Sequence, residues 1–270
     1  IKNYHLFDSV EPNPSMETVE KILSEYRENF SSIIGLGGGS SLDVAKFVGN
    51  KLKTKKILIP TTFGSGSEVT RISVLQVDGK KTSFHNDNLL ADISIIDPFF
   101  IKNAPINIIK NSAIDACAQC SESFDSKMAN NYTKFLCKKA FKILETAIIN
   151  EKYTDLAYGA MISGLGFGNS GTTLGHALSY VFSNEGYSHG HALAFTTTVA
   201  HKFNNSQFYE RFKKLVKYFN FDQIHLTQNL SDAAKIILLD KKHLDNNPVN
   251  ITTENIIDLL ELINSEKVFR

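Results

Sequence analysis

Residues 35–46 read GLGGGSSLDVAK, and the reading of this stretch decides the fold. Before its glycines, Ile33 and Ile34 form a short apolar run; after them, Leu42, Val44, Ala45, Phe47 and Val48 recur at helical spacing. The pattern predicts a strand, a glycine turn and a helix. Gly37, Gly38, Gly39 and Ser40 occupy the turn, where bare backbone N–H groups and the positive end of the helix dipole can hold a pyrophosphate. The spacing is not the GxGxxG of the common dinucleotide fold, and by itself GGGS suits a tight structural turn equally well.

Working outward, KILIP at 56–60 is a second apolar strand, and it runs into a loop of small hydroxylic residues, TTFGSGSEVT at 61–70. Upstream, Val19, Ile22, Leu23, Tyr26 and Phe30 predict a helix over 15–30, with Ser15 placed to cap it. Downstream, RISVLQVDGKKTSF alternates around Asp78-Gly79, a dipeptide suited to a tight hairpin turn, and ADISIIDP ends a further strand at Pro98. Beyond Pro105 the periodicity becomes helical, with clear examples at Tyr209–Phe219 and Ile251–Leu262. The expected architecture is an α/β dinucleotide-binding domain over residues 1–104 followed by an all-helical metal and substrate domain over 105–270.

The chain has 270 residues, 29 basic and 28 acidic, for a formal net charge of +1, so no overall field favours nucleic acid or an anionic membrane. Small-molecule chemistry is the better expectation. Cys117, Cys120 and Cys137 make an odd count without a disulfide framework, which suits a reducing compartment and a cytoplasmic location. Cys117 and Cys120 lie in a helical segment, AIDACAQCSESF, and read as small apolar packing rather than a redox pair. No apolar run approaches the roughly 20 residues of a spanning helix, and IKNYHLF lacks the form of a signal peptide.

GLGGGSSLDVAK resembles the GGGSxxDxAK signature of the iron-containing (group III) alcohol dehydrogenases and their dehydroquinate synthase-like relatives. IPTTFGSGSEVT resembles the PTTxGTGSE loop of the same family, which closes over the phosphates and nicotinamide ribose. The resemblance implies NAD or NADP as cofactor, held by Gly37, Gly38, Gly39, Ser40 and Asp43 of the first motif and Thr61, Thr62 and Ser65 of the second. Lys81 in DGKKTSF is a further implied contact. Family members begin with another strand and helix before the segment matching FDSVEPNPSMETVEKIL, and this chain starts at Ile rather than Met. The resemblance therefore implies an α/β domain lacking its first strand and helix, the part that usually selects NAD over NADP.

Asp115 and Gln119 stand four apart in a helical segment, so both side chains share one face and could bind one ion. His176 in TTLGHALSY and His189 in YSHGHAL follow in small-residue contexts that let helices approach closely. Together they offer two oxygens and two imidazole nitrogens. In the family an Asp and a His in AxDAxxHAxE, a His in a small-residue helix and a His in PHG bind the metal. Asp115, His176 and His189 match these positions; Gln119 replaces the second ligand and Ser188 the proline. Iron(II) is the implied metal, with zinc and manganese as alternatives. An amide oxygen binds a divalent ion more weakly than imidazole does, so Gln119 lowers the expected metal affinity.

DAxxQxxES with TTxxHAxSY and HGHA also resembles the family's phosphonate-handling branch, which reduces phosphonoacetaldehyde to 2-hydroxyethylphosphonate. Gly171 stands where that branch leads one to expect a lysine that could meet a phosphonate. His191 reads as an alternative ligand, a proton relay or a helix-start residue, and Tyr180 occupies a place where some members carry a second histidine proposed to relay protons. The implied activity interconverts a small alcohol and aldehyde in a homo-oligomer, most simply a dimer. The alternatives are a dehydroquinate synthase-like cyclisation and a non-catalytic binding or assembly subunit.

Overall fold

The glycine turn joins two strands that pair in parallel, β1 (Ser32–Gly37) and β2 (Lys55–Pro60), through helix α2 (Gly39–Leu52). Parallel neighbours need such a crossover, and the register runs from Ser32 opposite Lys55 to Gly37 opposite Pro60. Both strands thus end together, and their loops emerge side by side. A short β5 (Ile93–Ser94) extends the sheet beyond β2, giving the order β1-β2-β5. The computed structural model describes residues 3–26 and 30–269, Tyr153 without its side chain. One face of this sheet packs Leu58 against Leu42 and Ala45 of α2; the other exposes Ile34, Leu36 and Ile93.

Helix α1 (Met16–Glu25) starts as the sequence leads one to expect, with the Ser15 hydroxyl accepting from Thr18 N at 3.2 Å. It ends earlier than the predicted residue 30, of which stretch residues 27–29 lie outside the described residues. Tyr26 leaves helical geometry at φ −115°, ψ 85°, and its ring meets His5 and Phe30 edge-on. Tyr26 and Phe30 are therefore linked by ring contact, not by a common helix face. The hairpin forms where Asp78-Gly79 places it, between β3 (Ile72–Val77) and β4 (Lys80–His85). Both turn residues have positive φ, 51° and 72°, the combination a two-residue hairpin turn requires.

From Ile106 onward the described residues are helical: α3 (Ile106–Asp125), α4 (Asn131–Ile149), α5 (Tyr153–Ser170), α6 (Leu174–Asn184), α7 (His189–Phe203), α8 (Tyr209–Phe219), α9 (Leu230–Leu238), α10 (Lys241–Asn246) and α11 (Thr253–Asn264). The last begins two residues after the expected Ile251, because Thr252 and Asn255 close a reciprocal cap. None of these helices is long and apolar enough to cross a membrane. Helix α3 is the axis of this part, packed by α4, α5 and α7 and buried on every side from Ala113 to Ser123. The three cysteines are free and buried, with thiols pushed up by burial, in keeping with a packing role.

Two glycines lock the second loop onto this helical part. A Cβ on Gly64 would fall 2.7 Å from the Ser112 backbone of α3, and one on Gly66 would fall 2.9 Å from Gly164 of α5. Only glycine permits such approach. Ser65 is thereby set near the turn of α3 that carries Asp115.

Candidate active site

The loop after β1 exposes the beginning of α2. Gly38 is its N-cap without a side-chain hydrogen bond, so the first-turn N–H groups of α2 lack a side-chain cap. Gly37 adopts φ +152°, where a Cβ would strike Ser41 at 2.7 Å, and a Cβ on Gly39 would strike Ser65 at 2.8 Å. Gly37 and Gly39 are therefore restricted to glycine by their own neighbours, whereas a Cβ on Gly38 would meet Thr62 no closer than 3.4 Å. Thr61 N donates to Gly37 O at 2.9 Å, tying the two loops together.

Behind the loops lies a buried ionic group. The Lys46 ammonium donates to Ser67 O at 2.8 Å and Thr70 O at 3.2 Å, to Ser67 Oγ and to Ile72 O, and stands 3.5 Å from Asp43. Asp43 in turn accepts from Ser67 Oγ at 2.6 Å and Val74 N at 3.0 Å. Burial pushes Lys46 down and Asp43 and Glu68 up, against the attraction between them. Asp43 borders the cleft, and its carboxylate bonds to Ser67 of the second loop and to Val74 of β3. Lys46, absent from the expected site residues, is the anchor of that loop.

The helical side of the cleft brings three distant segments together. Asp115 on α3, His176 on α6 and His189 at the start of α7 place ligand atoms within 4.8 Å of one another. Each imidazole Nε2 lies 3.8 Å from Asp115 Oδ1. The approach depends on the glycine beside each histidine. A Cβ on Gly175 would fall 2.4 Å from Glu122 Oε1 and 2.8 Å from Thr197 Cα, and one on Gly190 would fall 2.1 Å from Asn111 O of α3.

Gln119 Nε2 donates to Asp115 Oδ1 at 2.9 Å, while Gln119 Oε1 is buried with no hydrogen-bond partner. Orphaned buried oxygens are uncommon and costly. A carboxylate, two imidazoles and a spare amide oxygen form a donor set of intermediate hardness, which fits a divalent transition metal. The arrangement is thus able to hold such an ion.

Glu122, one turn beyond Gln119, supports the histidine from behind. Its carboxylate accepts from Thr173 N at 3.1 Å, Gly175 N at 2.5 Å and His176 Nδ1 at 2.5 Å. Burial raises its carboxyl, but the facing His176 charge and these bonds win and bring it to about 2. Burial likewise lowers His176, but Glu122 and Asp115 lift it to about 9. Nδ1 is thereby held by Glu122, and Nε2 is left facing Asp115. Burial, with His176 and Lys81 nearby and despite Asp115, lowers His189 to about 4, so its ring is neutral.

All four residues of the ion-binding set border one cleft of about 340 Å³ together with Gly39, Ser40, Ser65 and Lys81. Gly37, Gly38, Thr61 and Thr62 are not part of its wall and sit in the two loops that flank it. His191 turns away from the triad, with Nε2 2.6 Å from Asp222 O and its ring against Phe221, as a helix-start packing residue does. Tyr180 borders the cleft and meets the His243 ring. His243 itself, unanticipated from the sequence, stacks on His176 at 6.1 Å between ring centres.

Comparison with known proteins agrees with this layout. Residues 2–98 match the iron-containing alcohol dehydrogenase model, and residues 109–237 match the C-terminal model of the Fe-containing alcohol dehydrogenase family. The chain belongs to the iron-containing alcohol dehydrogenase family. It is 34% identical over 206 residues to long-chain-alcohol dehydrogenase 1 of Geobacillus thermodenitrificans, covering 65% of this chain and 52% of that protein. It is 31% identical over 196 residues to 4-hydroxybutyrate dehydrogenase of Clostridium kluyveri, covering 62% and 53%. The chain thus spans about half the length of the curated relatives it matches. Its fold matches that of sulfoacetaldehyde reductase from Bifidobacterium kashiwanohense, solved with NAD+, with a TM-score of 0.85 at 24% identity over 96% of this chain and 83% of that one.

Proposed function

We propose that the chain is the catalytic part of a metal-dependent, NAD(P)-linked oxidoreductase that interconverts a small alcohol and its aldehyde. The observation that carries this reading is that the Asp115–His176–His189 triad and the spare oxygen of Gln119 open onto the same cleft as the α2 N-terminus. Iron(II) is the expected ion, with zinc or manganese as substitutes. A bound divalent ion polarises an oxygen as a Lewis acid, and a nicotinamide gives or takes the hydride.

The chain's own residues position both groups. Backbone N–H groups from Gly38 to Ser40 receive the pyrophosphate, Thr61, Thr62 and Ser65 close over it, and Lys46 with Asp43 keeps that second loop in place. Lys81 adds positive charge on the side of Asp115. Glu122 fixes the orientation of His176. The sharper form of the reading is a phosphonate-bearing aldehyde, phosphonoacetaldehyde, supported by Gln119 at the second-ligand position. A cytoplasmic homodimer is the setting that goes with it.

Steady-state oxidation of NADH and of NADPH by propanal and by phosphonoacetaldehyde tests the reading in protein loaded separately with Fe(II), Zn(II) and Mn(II). Turnover that requires the metal is expected with at least one aldehyde. Protein that retains no metal after dialysis and binds neither nucleotide would overturn it.

A further inference from the structure

The cleft has a basic end that neither the triad nor the glycine loop uses. Lys81, Ser83 and His85 alternate along β4 and so project to one face of the hairpin, and all three border the cleft. Opposite them, α10 brings Lys242, one residue before the His243 ring that stacks on His176. The Lys242 ammonium donates to Ser83 Oγ at 3.2 Å and approaches His85 Nε2, which lies 2.9 Å from the same hydroxyl.

Asp240 attracts Lys242 and Asp115 attracts Lys81, but neither carboxylate pairs with its ammonium directly. Among the described residues no carboxylate comes within ion-pair distance of Lys242 or Lys81, although Lys235, Arg71 and Arg211 each have one. The nearby Asp240 is committed to His243, whose Nδ1 lies 2.6 Å from Asp240 Oδ2. Partial enclosure, and then the charges of Lys242 and Arg71, hold His85 down to about 4, which marks the local field as positive. An ammonium pointing at a hydroxyl and a neutral imidazole is an arrangement with donors to spare.

Gly171 brings no side chain to this cleft. Its φ is +71°, and a Cβ there would fall 2.9 Å from Asn246 Nδ2, so a lysine at 171 would be strained and blocked. Lys242 enters the same cleft from the other side.

We propose that Lys242, Ser83 and His85 form a receptor for an oxyanion, a phosphate, phosphonate or carboxylate carried by a small molecule whose other end lies at the triad. The anion comes either from the cofactor or from an acid group on the substrate. Naming that source rests on the oxidoreductase reading; the binding of an anion does not.

Calorimetry of the full chain with inorganic phosphate, in wild type, Lys242→Ala and Lys242→Arg, tests the receptor directly. Lys242 is exposed at the rim, so its truncation leaves the core untouched. Phosphate affinity should fall about tenfold in Lys242→Ala and stay within about twofold in Lys242→Arg, the loss expected for one charge-assisted contact. Equal phosphate affinity in wild type and Lys242→Ala would overturn the proposal, as would an absence of phosphate binding in wild type.

Two further arms find the source. A matching loss of NADH or NADPH affinity assigns the anion to the cofactor. A rise in KM for 4-hydroxybutyrate with that for 1-butanol unchanged assigns it to the substrate. Failure of the oxidoreductase reading would appear separately, as no nucleotide binding and no turnover in any variant, with the phosphate result still readable.

Discussion

The two walls of the cleft are built by different means. The loop side is built on backbone: Gly39 and Ser40 line it at the start of α2, Gly37 and Gly38 in the flanking turn link β1 directly to α2, and the loop after β2 is tied alongside by Thr61 N. The helical wall is made of side chains from α3, α6 and α7, and 74 residues separate Asp115 from His189. A backbone site is specified by a short motif, and here Gly37 and Gly39 leave no room for a side chain. A side-chain site depends on how closely three helices pack, and its weak points lie behind the ligands.

The largest expected effect comes from breaking that packing. In Gly175→Val the new side chain would meet Glu122 and the Thr197 backbone at under 3 Å. Overpacking of this kind costs about 1–3 kcal/mol, and displacement of Glu122 from Gly175 N adds to it. Thermal unfolding should shift down clearly and metal binding should disappear, while NADH affinity, measured below the new midpoint, should change little. Retention of metal in this variant would show that close approach of α6 is not what assembles the site.

A smaller and more selective effect is expected for Glu122→Gln, which keeps the shape but removes the charge facing His176. Loss of an orienting partner of this kind weakens metal binding about 10- to 100-fold. The same carboxyl has a pH signature. Its folded value of about 2 lies below the ordinary 4.5, so its contribution to stability is complete above pH 4.5 and is lost as pH falls toward 2. Acid unfolding of the metal-free wild type should therefore be steeper across that window than that of Glu122→Gln. Parallel curves would remove Glu122 as the group that holds His176.

The same contrast governs how much could be read from the sequence. The glycine turn, the Asp78-Gly79 hairpin and the Ser15 cap are local, and the structure has them where the residues put them. Asp115 and Gln119 share a helix face and are legible as a pair; their meeting with His176 and His189 is not, because nothing local encodes it, and resemblance alone linked them. Supporting groups were hidden for a different reason. Glu122 lies 54 residues from the histidine it holds, and Lys242 lies 159 residues from Ser83. For Asp43 a motif gives the residue's position without the direction of its side chain, which here bonds to Ser67 and Val74.

The central claim is that one cleft has two separately built halves, and a crossed binding measurement tests it most directly. Metal content by elemental analysis and NADH affinity by fluorescence would be measured together in wild type, His176→Ala and Gly38→Val. Gly38 has φ −75° and ψ −179°, which valine adopts readily, and a Cβ there meets Thr62 no closer than 3.4 Å, so the fold should survive with a side chain obstructing the pyrophosphate position. His176→Ala should lose metal about tenfold or more while keeping NADH affinity within about threefold. Gly38→Val should keep its metal and lose NADH binding by about tenfold or more. If His176→Ala holds metal as wild type does, or if each variant loses metal and nucleotide alike, the two-walled account is wrong.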